Sequence, residues 1–414
     1  MTVGQPTVDW SQGILNWNLP LHSDEITLLA VGDLLFEGSF LGIVEDVVKR
    51  KGGDFLFAPT RSAFLSADIV LGNLENPLCD RGDPIFKAGS NFRASPKMAK
   101  ILSDAGFSIL GVANNHVRDY GDRGFLETLD HLATAGIFSV GGDRDASSAS
   151  EPVVIKTGEI SIGILAFTFR QESIAGPNRP GAADLDNPKC YDAVKTLRDR
   201  VDLVIVFLHM DPEYSDYPAP HRIEMAHNFI DAGAEIVIGH HPHVPQGLEI
   251  YKGKLIAYSL GNFIFHTQKQ RPLTSLGYLL KIILTKNGAD KATIIPYMIN
   301  DCCQIGRALC QPIPLTNNER KNALNHLQRI SRGLKDPNTV KLNWEPIASK
   351  ETIIIMIHVL KGILRGEPPS SWLCHLTSLK YRYRPFLGSL ISGRIFKYLG
   401  EQIRLYRNRA YTSA

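Results

Sequence analysis

The chain has 414 residues, 44% apolar and 21% charged, which is enough for two or three domains around a large buried core. Its 35 Gly and 24 Pro are near ordinary usage, which excludes collagen-like and low-complexity classes. A net charge of +3 lacks the overall basic footprint of a nucleic-acid binder, so no nucleic-acid partner is expected.

That charge is uneven: residues 361–414 carry +8 and residues 1–360 carry −5. Six cysteines (Cys79, Cys190, Cys302, Cys303, Cys310 and Cys374) in so long a chain do not form a disulfide framework, and Cys302, Cys303 and Cys310 read as ordinary buried or free thiols. Without a Cys-x-x-Cys pair, a thiolate zinc site is not expected. Residues 1–20 have neither a basic start nor a continuous apolar stretch, so no secretory signal is read there. The apolar run 353–364 is broken by His358 and Lys361 and is too short to span a bilayer. A cytoplasmic protein is the expectation.

In chain order, β-branched apolar runs at 26–31, 68–71, 107–113, 137–140, 153–156, 160–169, 203–208, 235–239 and 255–260 predict strands, several of them buried on both faces. Between them, 95–105 opens with Ser95-Pro96, an N-cap followed by proline at the first helical position. Residues 124–135 and 221–232 have helical spacing and stop at Gly136 and Gly233. This alternation predicts an α/β domain. The runs 278–284 and 292–298 around Asn287-Gly288 predict a hairpin at the sheet edge. Beyond Asp301, helices are predicted at 316–333, 351–364 and 390–407, the last basic and amphipathic. The expected organisation is an N-terminal extension (1–24), an α/β domain (25–305) and a helical C-terminal region with a basic tail (306–414).

Polar residues cluster where the strands stop. The clusters are Gly32-Asp33; Asn73-Leu74-Glu75-Asn76; Asn114-Asn115-His116 with Arg118-Asp119; His209 with Glu213; Gly239-His240-His241-Pro242-His243; and Ser259-Leu260-Gly261-Asn262-Phe263. In an open α/β sheet the functional crevice lies at the carboxyl ends of the strands. Carboxylate, amide oxygen and imidazole are ligands for Mn, Fe, Zn or Co, and such sets make up two-metal hydrolytic sites. Singly, each cluster has a plain reading as a turn, a cap or a satisfied core histidine. The clustered imidazoles resist that reading most, because they are rare without metal or catalysis.

With these motifs in this order, the segment from Ile26 to Phe265 resembles the CapA family of capsule and poly-γ-glutamate biosynthesis proteins, related in fold to calcineurin-like metallophosphoesterases. The resemblance implies a four-layer α/β/β/α sandwich with a C-terminal helical extension. It implies one or two divalent ions held by Asp33, Glu75 in the bridging place, Asn115, His209, His241 and His243. The spacing leaves open whether His240 or His241 pairs with His243. It implies His116 or His209 as proton donor, with Asp119 orienting. Arg93, Glu213 and Asn262 are the expected substrate contacts. The sequence departs from the pattern where Leu34-Leu35 follows Asp33 in place of x-His, and where Met210-Asp211 follows His209 in place of Trp-Gly.

Two functions follow: a metal-dependent hydrolase acting on a phosphoester or a glutamyl-type amide, or a non-catalytic assembly component with a relic metal site. No Walker A sequence is present, so an ATP-driven ligase is not read from this chain. The expected partner is a small molecule or an acidic polymer. The basic tail, with Arg382, Arg384, Arg394, Lys397, Arg404, Arg407 and Arg409 among aromatics, is either a helix against the acidic body or a contact for an anionic surface.

Overall fold

The computed structural model describes residues 5–19, 24–37, 42–87, 89–169, 172–266, 271–300 and 305–348. The helices expected at 351–364 and 390–407, the basic tail, Cys302, Cys303 and Cys374 lie outside the described residues. The chain divides into two compact units, Met1–Pro337 and Asn338–Ala414. In the second, the described residues 338–348 are helical.

The first unit holds two large sheets flanked by helices, an α/β sandwich. At the heart of the ten-stranded sheet lies Ile26–Leu34, with Ile69–Leu74, Ile109–Gly111 and Phe138–Val140 following in parallel on one side. On its other side run Leu276–Thr285 and Gly288–Asn300, both antiparallel to their neighbours. The six-stranded sheet carries a parallel core of Ile160–Thr168, Leu203–His209, Ile236–His240 and Lys254–Ala257. Every residue of Leu203–His209, Ile236–His240 and Ile69–Leu74 is buried, which is why these strands read as unbroken apolar runs. The sheets meet face to face: a Cβ at Gly111 would stand 3.7 Å from the Phe207 ring.

Helices Lys189–Arg198 and Pro220–Asp231 pack on the six-stranded sheet. Leu197 fills the space over Gly163, where a Cβ would come within 2.7 Å of it. Phe57, Phe64, Phe107, Phe263 and Tyr297 form a ring cluster behind the short strand Asn262–Ile264. That strand pairs in parallel with the end of Ile26–Leu34, setting Asn262 opposite Asp33.

Several expectations need correcting. The 278–298 hairpin is not at the sheet edge, because Ile14–Asn16 and Gln311–Pro314 both pair with Gly288–Asn300. Thr7–Asp9 and Ile14–Asn16 form an antiparallel pair within the main sheet, so the N-terminal segment is part of the domain rather than an extension. Gln311–Pro314 and helix Asn317–Gly333 fall inside the first unit, past the boundary expected near residue 305. Helices Ile43–Lys51 and Arg61–Leu65 were not anticipated at all. Cys310 is disulfide-bonded, not an ordinary thiol. Cys79 and Cys190 are free and buried, and burial pushes both thiols up to about 12, which makes them inert. Among the described residues no helix is long and apolar enough to cross a membrane.

Candidate metal centre

The polar strand ends converge. Asp33, Glu75 and His209 lie at or just past the carboxyl ends of three strands, and the turn after Ile236–His240 adds His241 and His243. Asp33 and Glu75 are wholly buried. Two sets of side chains offer ligand atoms within 4.8 Å of one another: Asp33, Glu75 and His243; and Glu75, His209 and His241. Glu75 belongs to both sets.

A net of hydrogen bonds fixes Asp33. Asn73 Nδ2 donates to its Oδ1 at 2.8 Å, His240 Nδ1 lies 3.1 Å from the same oxygen, and the His241 N–H donates to Oδ2 at 3.2 Å. Burial works against the Asp33 charge. Even so, the His240 bond, the charges of His240 and His243 and the Asn73 bond together hold the carboxyl below its ordinary range. His241 has φ 98° and His243 φ 59°. A β-carbon disfavours that region, so this turn stores strain of the kind that accumulates at functional sites.

Glu75 is in the opposite condition. Neither carboxylate oxygen has a hydrogen-bond partner, and the nearest imidazole nitrogens, His209 Nε2 and His243 Nε2, are each 3.6 Å from Oε1. Burial, then the charges of Asp33 and Glu213, drive its carboxyl well above the ordinary range. A buried carboxylate without donors costs folding free energy. Burial, then neighbouring imidazoles led by His241, presses His209 well below its ordinary value, so the ring is neutral, as a metal ligand must be. Its Nε2 meets Asn115 Oδ1 at 2.7 Å. The orphaned carboxylate, the neutral His209 imidazole and the amide oxygen fit a divalent cation.

Residues 27–267 match the family described as "Bacterial capsule synthesis protein PGA_cap". The chain belongs to this family. It is 31% identical over 289 residues to the capsule biosynthesis protein CapA of Bacillus anthracis, covering 68% of this chain and 69% of that one. It is 32% identical over 287 residues to the PGA biosynthesis protein CapA of Bacillus subtilis, covering 68% and 73%. Among solved structures, a phosphatase from Mycoplasma pneumoniae aligns at TM-score 0.42 and 16% identity, covering 66% of this chain and 94% of that one.

Of the histidine cluster, His241 and His243 occur in the ligand sets, whereas His240 braces Asp33 and stacks on Phe207 with ring centroids 5.3 Å apart. Leu35, which follows Asp33 and Leu34 where the resemblance leads to the expectation of a histidine, is fully buried. Asn262, expected to contact substrate, is instead engaged on both sides. Its Oδ1 meets His243 Nδ1 at 2.9 Å and its Nδ2 donates to the Thr274 carbonyl at 3.1 Å, so it sets the angle of the His243 ring. Arg93 lies over the Tyr120 ring at 4.5 Å and donates to the Asp80 carbonyl at 3.4 Å. Glu213 is exposed, near enough to Glu75 to raise its carboxyl.

His116 lies at the rim, its Nδ1 2.7 Å from Asp119 Oδ2. Burial lowers its value against the opposing pull of Asp119. Lys87, which the sequence did not single out, enters here. Its ammonium pairs with Asp119 Oδ1, stands 3.0 Å from His116 Nδ1 and donates to the Asn115 carbonyl at 3.3 Å. Nδ1 thus sits between a donor and an acceptor, so the ring proton can reside on either nitrogen. No motif surrounds Lys87 in the sequence. Only the fold of the 80–93 segment brings it to Asp119.

This bridge yields a stability prediction. Lys87 is 6% and Asp119 0% exposed at the side chain, and removing one partner strands a buried charge. Lys87→Met is expected to lose about 3–5 kcal/mol in urea unfolding at neutral pH. An unchanged midpoint would contradict the buried bridge.

Phe92, His116, His266, Phe265, His243 and Tyr214 follow one another by ring contacts of 4.7–6.3 Å along the rim, broken only between His116 and His266, which both meet Phe92. Burial, then the His243 charge, brings His266 down to about 4.

Proposed function

We propose that the chain is a metal-dependent hydrolase acting on a phosphoester or a glutamyl-type amide in the making of an acidic polymer. The observation that carries this is the double membership of Glu75: one buried, hydrogen-bond-free carboxylate shared by two ligand sets. Asp33 and His243 would complete one set. His209 and His241, with Asn115 beside His209, would complete the other. A cation held there supplies Lewis acidity and an activated water.

The remaining chemistry belongs to the chain. His116, braced by Asp119 and Lys87, delivers the proton to the leaving group. His209, buried and neutral, serves as a ligand rather than as the donor. Asn262 keeps His243 turned toward Glu75. The aromatic rim excludes water from one side of the reacting bond. Relatives named for capsule and PGA biosynthesis support an acidic polymer as the substrate class. Leu35 in place of an imidazole favours the second reading, a non-catalytic assembly component.

The test is elemental analysis of purified chain, followed by turnover with Mn or Zn on phosphodiesters and γ-glutamyl amides. One or two bound ions, with turnover lost by at least ~100-fold in His241→Ala, is the expected result. Bound metal without turnover, or no metal and no turnover, selects the assembly reading. The Cys310 disulfide favours an oxidising compartment over the cytoplasmic placement expected from residues 1–20, because cytosolic thiols are kept reduced.

A further inference from the structure

We propose that Arg271, stacked on Tyr214, is the anion-recognition element of this site and receives a carboxylate of an acidic chain beside the metal-competent cluster. This rests on the reading of the site given above and names the group that grips the substrate.

The Arg271 guanidinium carbon lies 3.5 Å from the Tyr214 ring centroid, a close cation–π stack. The Tyr214 ring is 6.0 Å from that of His243, whose Nε2 is 3.6 Å from Glu75. The cation therefore stands two side chains away from the shared carboxylate. Arg271 is exposed, and among the described residues no carboxylate pairs with it. The neighbouring cations are engaged elsewhere: Lys87 with Asp119, Arg222 with the Phe169 ring and Asp186, and Arg93 with Tyr120. Glu213 shares the loop with Tyr214 but makes no ion pair with Arg271.

The platform under the guanidinium is fixed. The Tyr214 N–H donates to the Pro242 carbonyl at 2.7 Å, and the Met210 N–H to the His240 carbonyl at 3.1 Å. Gln246 Nε2 donates to the Ser215 carbonyl at 2.8 Å, and Asp211 Oδ1 accepts from the Ala219 N–H at 2.8 Å. Tyr214 is held at φ 64°, a conformation kept only where surroundings impose it. The loop is thus stapled to the turn that carries His241 and His243, and the ring holds the guanidinium with little entropy left to lose on binding. A planar fork of N–H donors matches a carboxylate through two parallel bonds. It would bind a phosphoryl group by the same donors, so the test includes both.

Full-length chain loaded with Mn is titrated by calorimetry with a γ-linked glutamate oligomer and, separately, with inorganic phosphate. Arg271→Ala should weaken the oligomer ~10–100-fold. Arg271→Lys should recover part of this loss. Tyr214→Phe should bind as wild type, whereas Tyr214→Leu should fall with Arg271→Ala. Metal content should be the same in every variant. Equal oligomer affinity in wild type and Arg271→Ala overturns the proposal. So does a wild type that binds no oligomer, or an Arg271 effect confined to phosphate. A wild type that takes up no metal sinks the hydrolase reading instead, and the same comparison on metal-free chain then decides Arg271 by itself.

Discussion

Glu75→Gln should make the metal-free chain more stable at neutral pH and cancel the stabilisation that Mn or Zn gives the wild type. The buried Glu75 oxygens have no hydrogen-bond donors, and burial, then Asp33 and Glu213, raises the carboxyl well above its ordinary range. A carboxyl raised in this way binds a proton that the unfolded chain has already released. The resulting penalty is absent in acid below the ordinary glutamate range and grows as pH rises through the folded value. Glutamine has no such proton and nearly the same volume. The variant should therefore gain about 1–3 kcal/mol at neutral pH, with the difference closing in acid. Wild type with cation at ~100 times its dissociation constant gains about 2.7 kcal/mol, and the variant does not. Thermal unfolding with and without Mn, at two pH values, reads both effects. The same order of stabilities in both conditions would sink the shared-carboxylate arrangement.

Gly32→Ala should be a severely damaging small substitution near the site. A Cβ at Gly32 would stand 1.9 Å from the Gly261 carbonyl oxygen and 2.8 Å from its carbon. Both are backbone atoms, so no side-chain rotation relieves the clash. The same carbonyl accepts the Asp33 N–H at 3.0 Å, and Gly261 itself is held at φ 78° with the Leu276 carbonyl 2.7 Å from where its Cβ would be. Pushing the two segments apart separates Asn262 from Asp33, and with it the strut behind His243. The expected loss exceeds ~3 kcal/mol in denaturant unfolding and takes metal binding with it. Gly111→Ala is the control, since its Cβ would meet its nearest atom at 3.6 Å, an ordinary contact. Equal stability of the two variants would contradict the close approach.

The parallel strands were legible because burial on both faces leaves an unbroken apolar run, and the candidate ligand residues because each such run ends abruptly in polar groups. Where that signal is weak, the reading failed. Thr7–Asp9 is wholly exposed, and Ile14–Asn16 buries only its central residue. Neither has the apolar contrast that marks a strand, so the hairpin at 278–298 was wrongly set at an edge those strands cover. Ile43–Lys51 begins after Gly42 in a left-handed conformation with no side-chain cap, so no capping residue marked its start.

Asn262 shows the limit for site residues. Its place in the motif gave its neighbourhood, but only the position of His243 Nδ1 decided that it braces that ring. His240 and His241 were indistinguishable by spacing. A left-handed turn at His241 separates them, sending one ring to Asp33 and leaving the other with Glu75 and His209.

What the sequence determined by itself is the parallel α/β frame and the placing of polar clusters, those of Asp33, Glu75, Asn115, His209 and the 240–243 histidines among them, at the ends of its strands, since alternation of local pattern compels both. The tertiary structure alone decided that Glu75 is left without donors, that Lys87 reaches Asp119 and that Arg271 lies on Tyr214. Those are contacts between segments far apart in the chain, set by the packing of two sheets and their loops, and no local run of residues encodes them.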